Sequence, residues 1–234
     1  SKSLPHGPDM KLYRKFSFGR LAEIMMLDTR QYRTDQPNND GMCEMNEACF
    51  SPDATLLGAR QFGWLQASLL ESKAHWNVLA QQIMMAMVAN PSGYYMDGWP
   101  GYVYERGRLM TFLDVRQIAN PIVLTGDIHS SWVHNLKADF DEPSSAVVGA
   151  EYVGPSITSD FPLIGIPFVK AALADNPHTV FFDALFLGYL RCRVTPDLWR
   201  VDYRVVPTIL DAGVNAFTLA SFVSVDGVPG AFPV

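Results

Sequence analysis

The first half of the chain carries apolar blocks that predict strands separated by helices. A short apolar run over residues 23–28 predicts a buried strand. In residues 58–72, Phe62, Leu65 and Leu69 recur at helical spacing and predict an amphipathic helix. A further buried strand is predicted to begin near residue 75 and to continue into an apolar segment that reaches residue 87.

A second helix is predicted over residues 102–118, with three basic residues on its exposed side: Arg106, Arg108 and Arg116. A third strand, rich in β-branched residues, is predicted over 121–125. This alternation of strands and helices predicts a layered α/β core.

The second half predicts strands with little helix. They are predicted over residues 147–153, 180–182, 189–194, 199–206 and 216–225. Charged and apolar residues alternate over 189–194 and 199–206, so one face of that sheet is predicted to face water. We therefore expect mixed sheets sandwiched between helices, in one domain that extends over residues 1–234.

Composition and charge restrict the class of protein. Of the 234 residues, 48% are hydrophobic and 18% are charged, as in an ordinary globular protein. The formal net charge of -6 argues against a nucleic-acid partner, which would need a basic surface. No apolar run is long enough to predict a transmembrane segment. Residues 1–8 contain neither a signal peptide nor a lipidation motif, so the sequence itself does not indicate a location.

The three cysteines are too few for a disulfide scaffold. Cys43 and Cys49 lie in a long polar loop over residues 34–55. Two interpretations stay open there: a local disulfide, or two unconnected thiols. Cys192 lies in a predicted strand and is expected to be a buried thiol.

The segment after the third strand carries the most informative chemistry. Gly126 ends the apolar run, and Asp127 and His129 follow it two positions apart. In extended backbone this spacing directs both side chains to one side. A carboxylate and an imidazole suit iron, zinc or manganese, and each could bind a different ion of a dinuclear pair. The alternative is a turn in which Asp127 caps the backbone and His129 is structural, and the motif alone favours that alternative.

Residues 125–132 read Thr-Gly-Asp-Ile-His-Ser-Ser-Trp. This segment resembles the Gly-Asp-Val/Ile-His-x-Ser-Trp signature of the PhoD-like alkaline phosphatase D family. Residues 26–33, Met-Leu-Asp-Thr-Arg-Gln-Tyr-Arg, resemble a second family segment. Further resemblances follow in the same order at residues 57–65, 76–82, 97–109, 153–159, 176–178 and 188–189, and together they span nearly the whole chain.

The resemblance implies the C-terminal portion of a calcineurin-like metallophosphoesterase, whose fold is an α/β/β/α sandwich. It implies hydrolysis of phosphate mono- or diesters at an iron and calcium centre, where a water or a metal-bridging oxygen attacks phosphorus. Asp127 and His129 would then be metal ligands that act through the activated water. The family also implies a periplasmic or secreted enzyme.

The sequence departs from the family pattern upstream. An early strand-end Cys or Asp, a Gly-Asp strand end and a Trp-Asp-Asp-His-Glu-like segment do not occur in it. We therefore expect a complementary N-terminal polypeptide of the same enzyme to supply the other ligands. This chain alone is expected to be inactive and to expose an apolar surface where that polypeptide packs.

Four other residues are candidates for substrate binding. Arg30 could bind a phosphate oxygen, or form a salt bridge with Asp28 or a neighbouring acid. Asp97 and Trp99 could shape the mouth of a pocket, although Asp97 could equally cap the helix that follows. Ser156 could line the site or satisfy backbone groups of its own turn.

Two other functions remain open beside the alkaline phosphatase or phosphodiesterase. One is a phospholipase D-type phosphodiesterase on the same scaffold. The other is a non-catalytic binding or structural subunit that keeps the sandwich and lacks the upstream metal ligands.

Overall fold

A computed structural model of the protein describes residues 10–37, 39 and 41–234. Residues 1–8, in which we expect no targeting signal, lie outside the described residues. The strands in chain order are β1 (Arg14–Phe18), β2 (Ala22–Met26), β3 (Met42–Cys43), β4 (Trp76–Ala80), β5 (Tyr94–Tyr95), β6 (Pro121–Thr125), β7 (Ser131–Lys137), β8 (Val147–Val153), β9 (Thr179–Asp183), β10 (Leu187–Val194), β11 (Leu198–Val206), β12 (Phe217–Val225) and β13 (Val228–Pro233). The helices are α1 (Gly58–Glu71), α2 (Val103–Val115) and α3 (Ile166–Ala172), with short 3₁₀ turns at Glu47–Phe50, Trp99–Tyr102, Leu163–Gly165 and Leu173–Asp175.

The strands form a large mixed sheet, a small antiparallel sheet and a two-stranded ribbon. The seven-stranded sheet has the order β1-β2-β4-β6-β8-β7-β9, and the four-stranded sheet has the order β10-β11-β12-β13. Strands β2, β4, β6 and β8 are parallel neighbours, so their carboxyl ends lie along one edge of the sheet. Strand β7 is antiparallel to β8 and to β9.

Two hydrophobic cores hold the layers together. On one face of the large sheet, Leu65 of α1 and Leu109 of α2 belong to a buried cluster with Leu79 and Val123 of the sheet. On the other face, Trp76 and Tyr152 pack against residues of the small sheet that include Trp199, Val201, Tyr203 and Phe222. Helices, large sheet and small sheet are therefore stacked layers, and the predicted strand–helix–strand–helix–strand order of residues 23–125 is present.

The structure adds elements that the pattern does not predict. Strand β1 precedes the first predicted strand, and β7 follows the turn after β6. His134 in β7 is fully buried although it interrupts the apolar run: its ring stacks on Trp132, and its Nδ1 atom lies 3.1 Å from the Thr179 hydroxyl. Helix α3 lies in the half of the chain that we expected to contain little helix. Strand β13 is not predicted because Pro and Gly residues interrupt its apolar pattern.

The prediction that all three basic residues of the second helix are exposed is wrong for Arg106. Its side chain is buried in α2, with the guanidinium 4.9 Å from the ring centroid of Phe140. Its Nε and Nη1 atoms have no hydrogen-bond partner among the described residues. Burial lowers the pKa of Arg106 to about 10. Phe140 comes from the connection between β7 and β8, a contact that helical periodicity does not reveal.

All three cysteines are free thiols. The disulfide between Cys43 and Cys49 that the sequence left open is therefore not formed in the structure. The Cys49 sulfur is buried, 3.6 Å from the sulfur of Met96, and Cys43 lies in the ribbon strand β3. Cys192 is half-buried rather than buried, and desolvation raises the pKa of its thiol to about 11. Among the helices of the described residues, none has the length and apolar character needed to cross a membrane.

The outer face of the small sheet is polar, as predicted, but one acid on it is buried. Asp202 of β11 is 1% exposed and lies beneath the side chains of three arginines. Arg191 Nη2 is 2.8 Å, Arg200 Nε 2.9 Å and Arg193 Nη2 3.3 Å from its carboxylate oxygens. The Ser221 hydroxyl donates a further hydrogen bond of 2.7 Å. Burial alone would raise the pKa of Asp202, but these donors outweigh it and hold that pKa well below its usual range.

Asp202→Asn is expected to lower the free energy of unfolding at pH 7 by about 2 kcal/mol, because it removes the one carboxylate that pairs with three guanidiniums, partly screened by solvent. Urea unfolding measures the change. Since the pKa of Asp202 is lowered in the folded state, its contribution is present above the pKa of the unfolded chain. The difference from the wild type should therefore shrink as the pH falls below about 4. Asp197→Asn, in the turn beside it, is the matched control and should have little effect at any pH; an equal loss in both variants contradicts the prediction.

Candidate metal centre

The candidate site lies at the carboxyl edge of the large sheet. The segments that follow β2, β6 and β8 begin at this edge, because these strands are parallel. They carry Arg30, the pair Asp127 and His129, and Ser156. Open α/β sheets bind ligands beyond the carboxyl ends of their strands, so the position is a suitable one for a site.

The segment between β6 and β7 is a strained turn rather than extended backbone. The Ile128 N–H donates to the Gly126 carbonyl at 2.9 Å, which makes Asp127 the central residue of a three-residue turn. Asp127 and His129 both have left-handed backbones, with φ angles of 72° and 58°. The premise that extended backbone aligns their side chains is therefore wrong. Such conformations persist only where neighbouring structure enforces them, and they often mark functional sites.

Both ends of the turn are anchored. The Gly126 N–H donates to the Gln82 carbonyl at 3.3 Å. At the other end, Ser130 is fully buried, and its hydroxyl accepts a hydrogen bond of 2.8 Å from the Trp132 indole N–H. The same hydroxyl donates to the Ile128 carbonyl at 3.3 Å. The anchors fix the backbone while the two candidate ligands remain exposed to solvent.

The donor atoms fit a metal ion in kind but not in number. Asp127 offers a carboxylate, and the His129 ring forms no hydrogen bond to another described residue, so its nitrogens are accessible. These oxygen and nitrogen donors suit iron, zinc or manganese. Over residues 10–37, 39 and 41–234, no group of three or more His, Cys, Asp or Glu side chains is arranged to hold a metal. Two donors cannot fill the coordination shell of such an ion.

Arg30 lies beside Asp127. Its Nη2 atom is 3.2 Å from Asp127 Oδ1, and its Nη1 atom donates to both carboxylate oxygens of Asp97, at 2.8 and 2.9 Å. Burial alone would lower the pKa of Arg30, but the two carboxylates outweigh it and raise that pKa. The salt bridge that the sequence left open does form, with Asp97 and Asp127. Asp28 instead accepts a hydrogen bond of 3.0 Å from the backbone N–H of Arg30.

Two glutamines hold the backbone before Arg30. Gln61 Oε1 accepts from the Asp28 N–H at 2.8 Å, and Gln82 Oε1 accepts from the Thr29 N–H at 2.9 Å. Asp28 Oδ1 also accepts from the Gln31 N–H at 3.0 Å. The guanidinium is thus presented from a tightly bonded segment rather than from a free loop.

Asp97 does not cap a helix. The N-cap of the turn that follows is Gly98, which makes no side-chain capping bond. The Asp97 carboxylate instead accepts from Arg30, from Arg33 Nη1 at 2.6 Å and from Gln36 Nε2 at 2.9 Å. Burial would raise the pKa of Asp97, but these donors lower it. Its position is that of an anchor for two arginines.

The side chains of Trp99 and Ser156 form hydrogen bonds within the protein rather than facing a pocket. Trp99 is fully buried, and its indole N–H donates to Gln81 Oε1 at 2.7 Å. It therefore does not shape the mouth of a pocket. The Ser156 hydroxyl accepts from the Thr158 N–H at 3.1 Å and the Ser159 N–H at 2.7 Å, which is the backbone-satisfying alternative.

The site lies above a buried carboxylate that the pattern does not indicate. Glu151 of β8 is fully buried and accepts from the backbone N–H groups of Met85 and Ala86, both at 2.8 Å. The hydroxyl of Thr125, two residues before Asp127, donates to it at 2.7 Å. Burial raises the pKa of Glu151, and its donors oppose that rise. Glu151 therefore ties the end of β6 to the segment after β4.

Comparison with known proteins identifies the family. The PhoD-like phosphatase family model matches residues 1–203. The chain belongs to the PhoD-like phosphatase family. It is 48% identical over 231 residues to alkaline phosphatase D of Bacillus subtilis (strain 168), an alignment that covers 94% of this chain and 39% of that protein. A solved structure of PhoD superposes with a TM-score of 0.91 at 45% identity, over 99% of this chain and 45% of the other.

The match to PhoD confirms the predicted α/β fold and the family resemblance. The chain spans less than half the length of these relatives. The family segment 26–33 contains Arg33 as well as Arg30, but only Arg30 is predicted from the sequence as a site residue. Glu151 gives no comparable signal, since one acid in an apolar strand is ordinarily assigned to an exposed face.

Glu151→Gln is expected to lower the free energy of unfolding by about 3 kcal/mol, because the amide nitrogen would face buried donors that need an acceptor. Chemical denaturation measures the loss. Glu71→Gln, at the exposed end of α1, removes the same charge and should leave the stability unchanged. A Glu151→Gln protein as stable as the wild type would show that the carboxylate does not support this edge.

Proposed function

We propose that the chain is the C-terminal part of a metal-dependent phosphoesterase, an alkaline phosphatase or phosphodiesterase of the PhoD type. Asp127 and His129 are proposed as ligands of a dinuclear centre of iron and calcium. The observation that carries the proposal is the anchored turn at the carboxyl edge of the sheet, which presents both side chains to solvent in a chain 48% identical to alkaline phosphatase D.

The proposed chemistry divides between the metal ions and the chain. Bound ions would supply an activated water and neutralise charge on phosphorus-bound oxygens. Asp127 and His129 would be the ligands that this chain supplies to the ions, at the end of β6. Arg30 is the proposed contact for a phosphate oxygen, because a guanidinium presents paired donors to such an anion and Asp97 orients it. We assign no substrate contact to Ser156.

We further propose that a complementary N-terminal polypeptide of the same enzyme completes the centre. The donor count supports this, since Asp127 and His129 need partners to hold catalytic ions. Large apolar side chains with high exposure also support it: Ile157 71%, Leu163 68%, Ile164 81%, Phe168 61% and Leu210 93%. A contiguous apolar patch commonly marks an interface, so these side chains are the proposed points of contact with that polypeptide. We propose a periplasmic or secreted location from the family resemblance. We propose no nucleic-acid partner, because the formal net charge is -6.

Asp127→Asn and His129→Ala, made in the completed assembly, are each expected to reduce kcat by about a thousandfold, which corresponds to roughly 4 kcal/mol of transition-state stabilisation. Initial rates on a chromogenic phosphate ester measure the effect. Asp53→Asn and His75→Ala make the same chemical changes at exposed positions away from the turn and should retain full activity. Near-normal turnover in either turn variant would disprove the ligand assignment.

Elemental analysis should separate the enzyme from a non-catalytic subunit. The chain is purified alone and together with an N-terminal polypeptide of the same enzyme, the proposed complement. We expect stoichiometric metal and ester hydrolysis only when both polypeptides are present. Metal-free protein with no activity in the complex would instead support a binding or structural subunit.

Substrate preference distinguishes the phosphatase from a phospholipase D-type phosphodiesterase. The completed assembly is assayed with p-nitrophenyl phosphate, bis-p-nitrophenyl phosphate and a phosphatidylcholine vesicle. If choline is released faster than p-nitrophenol from either chromogenic ester, the phospholipase D-type hypothesis is favoured.

A further inference from the structure

The outer face of the small sheet carries more arginines than its one acid can neutralise. Arg191 and Arg193 of β10, and Arg200 and Arg204 of β11, alternate with residues that pack inward, so the four side chains lie on this outer face. We call these four residues, with Asp202 between them, the arginine face. Four arginines and one aspartate give it a formal charge of +3, in a chain whose formal net charge is -6.

The acceptor positions of Asp202 are already occupied. Its Oδ2 atom accepts from Arg191 Nε at 3.2 Å, Arg191 Nη2 at 2.8 Å and Arg193 Nη2 at 3.3 Å. Its Oδ1 atom accepts from Arg200 Nε at 2.9 Å and from the Ser221 hydroxyl at 2.7 Å. An ionised carboxylate offers about four acceptor positions. Asp202 therefore cannot accept from the remaining N–H groups of these guanidiniums.

The remaining donors are available to a ligand. A guanidinium carries five N–H donors. Arg191 uses two of them on Asp202, and Arg193 and Arg200 use one each. The three side chains are 48%, 59% and 37% exposed, in that order. In the described part of the chain, no second acid forms a salt bridge with any of them.

Packing of the sheet does not account for this arrangement. Arg193 and Arg200 lie directly opposite each other on β10 and β11, and like charges in that position destabilise a sheet. Arg204 donates to Thr218 Oγ1 at 2.6 Å and to the Ala216 carbonyl at 2.8 Å, and both acceptors are neutral. The positive charge of the arginine face thus exceeds what its internal contacts compensate.

We propose that the arginine face binds a small anion that carries two or more adjacent phosphate groups, of which diphosphate is the simplest example. Guanidiniums bind phosphate oxygens through paired N–H donors. Two phosphate groups carry roughly three to four negative charges at pH 7, which matches the charge of the face. The face is on the small sheet rather than at the carboxyl edge of the large sheet, and it uses no metal ligand. The inference therefore does not depend on the proposed function.

The spacing of the arginines favours two phosphate groups over one. Residues two apart on a strand are separated by about 7 Å, and directly opposite residues on neighbouring strands by about 5 Å. Arg191, Arg193 and Arg200 have these two relations, so their donors extend over more area than one phosphate group covers. Asp202 is the positioning residue: it holds three guanidiniums together before an anion arrives, which lowers the entropy that binding costs.

Diphosphate binding can be measured on this chain, because every residue of the arginine face belongs to it. Protein treated with a chelating resin is titrated with diphosphate in a calorimeter, so that no metal ion mediates the binding. Arg193→Gln and Arg200→Gln are each expected to weaken binding about tenfold, since each removes charged donors. Arg193→Lys keeps the charge but loses the planar pair of donors, and should weaken binding about threefold.

Thermal unfolding without ligand shows whether each variant is folded. Arg193→Gln should remain as stable as the wild type, because Arg193 makes one bond of 3.3 Å to Asp202 and faces a like charge on Arg200. If Arg200→Gln is less stable, Arg193→Gln and Arg193→Lys carry the test.

Two control variants remove the same charge elsewhere. Arg60→Gln changes an exposed residue of α1, and Arg30→Gln changes the proposed phosphate contact at the carboxyl edge. Each should alter diphosphate affinity by less than about twofold, because exposed charges at long range are screened. Inorganic phosphate should bind the wild type about tenfold more weakly than diphosphate, since one phosphate group meets fewer donors.

Four results would overturn the inference. The first is the absence of diphosphate binding to the wild type at millimolar concentration. The second is an equal loss in Arg60→Gln and Arg193→Gln, which reflects general charge. The third is a loss in Arg30→Gln with none in Arg193→Gln or Arg200→Gln, which moves the anion to the carboxyl edge and leaves the proposed function standing. The fourth is equal affinity for phosphate and diphosphate, which contradicts a site for adjacent phosphate groups.

Discussion

The parallel pairing of β2, β4, β6 and β8 is the constraint on which the site depends. Parallel neighbours direct their carboxyl ends to one edge, so segments that are far apart in sequence leave the sheet together. Arg30 and Asp127 are brought within 3.2 Å in this way. Glu151 reinforces the arrangement from inside the sheet, because its carboxylate joins Thr125 to the segment after β4. The surrounding hydrogen bonds therefore keep the strained turn at Asp127 and His129 at the edge of the sheet, with both side chains exposed.

In two clusters, one on the small sheet and one at the site, several arginines pair with a single shared carboxylate. Asp202 accepts from three arginines on the small sheet, and Asp97 accepts from Arg30 and Arg33 beside the site. In both places the donors lower the pKa of the acid against the effect of burial. The two clusters differ in one respect. Arg30 also contacts Asp127, the acid that we propose as a metal ligand, whereas the arginines of the small sheet share Asp202 alone.

Much of the fold follows from local pattern. The buried strands β4 and β6 and the helix α1 are indicated by apolar runs and helical spacing, since each buries one continuous face. The apolar pattern does not predict strand β7, since His134 interrupts it; only the fold shows that Trp132 and Thr179 cover that side chain. Arg106 was placed on the surface because periodicity cannot show that Phe140 covers it.

For the site, the sequence by itself determined the motif and the family: the Gly-Asp-Ile-His segment after a buried strand, with the ordered resemblances around it. Only the tertiary structure decided what each side chain touches. In it, Asp127 and His129 have left-handed backbones and Trp99 is buried. Asp97 binds two arginines rather than capping a helix. The physical reason is that residue type and spacing encode local conformation, whereas partners such as Arg30 and Asp127, 97 positions apart, meet only through the sheet.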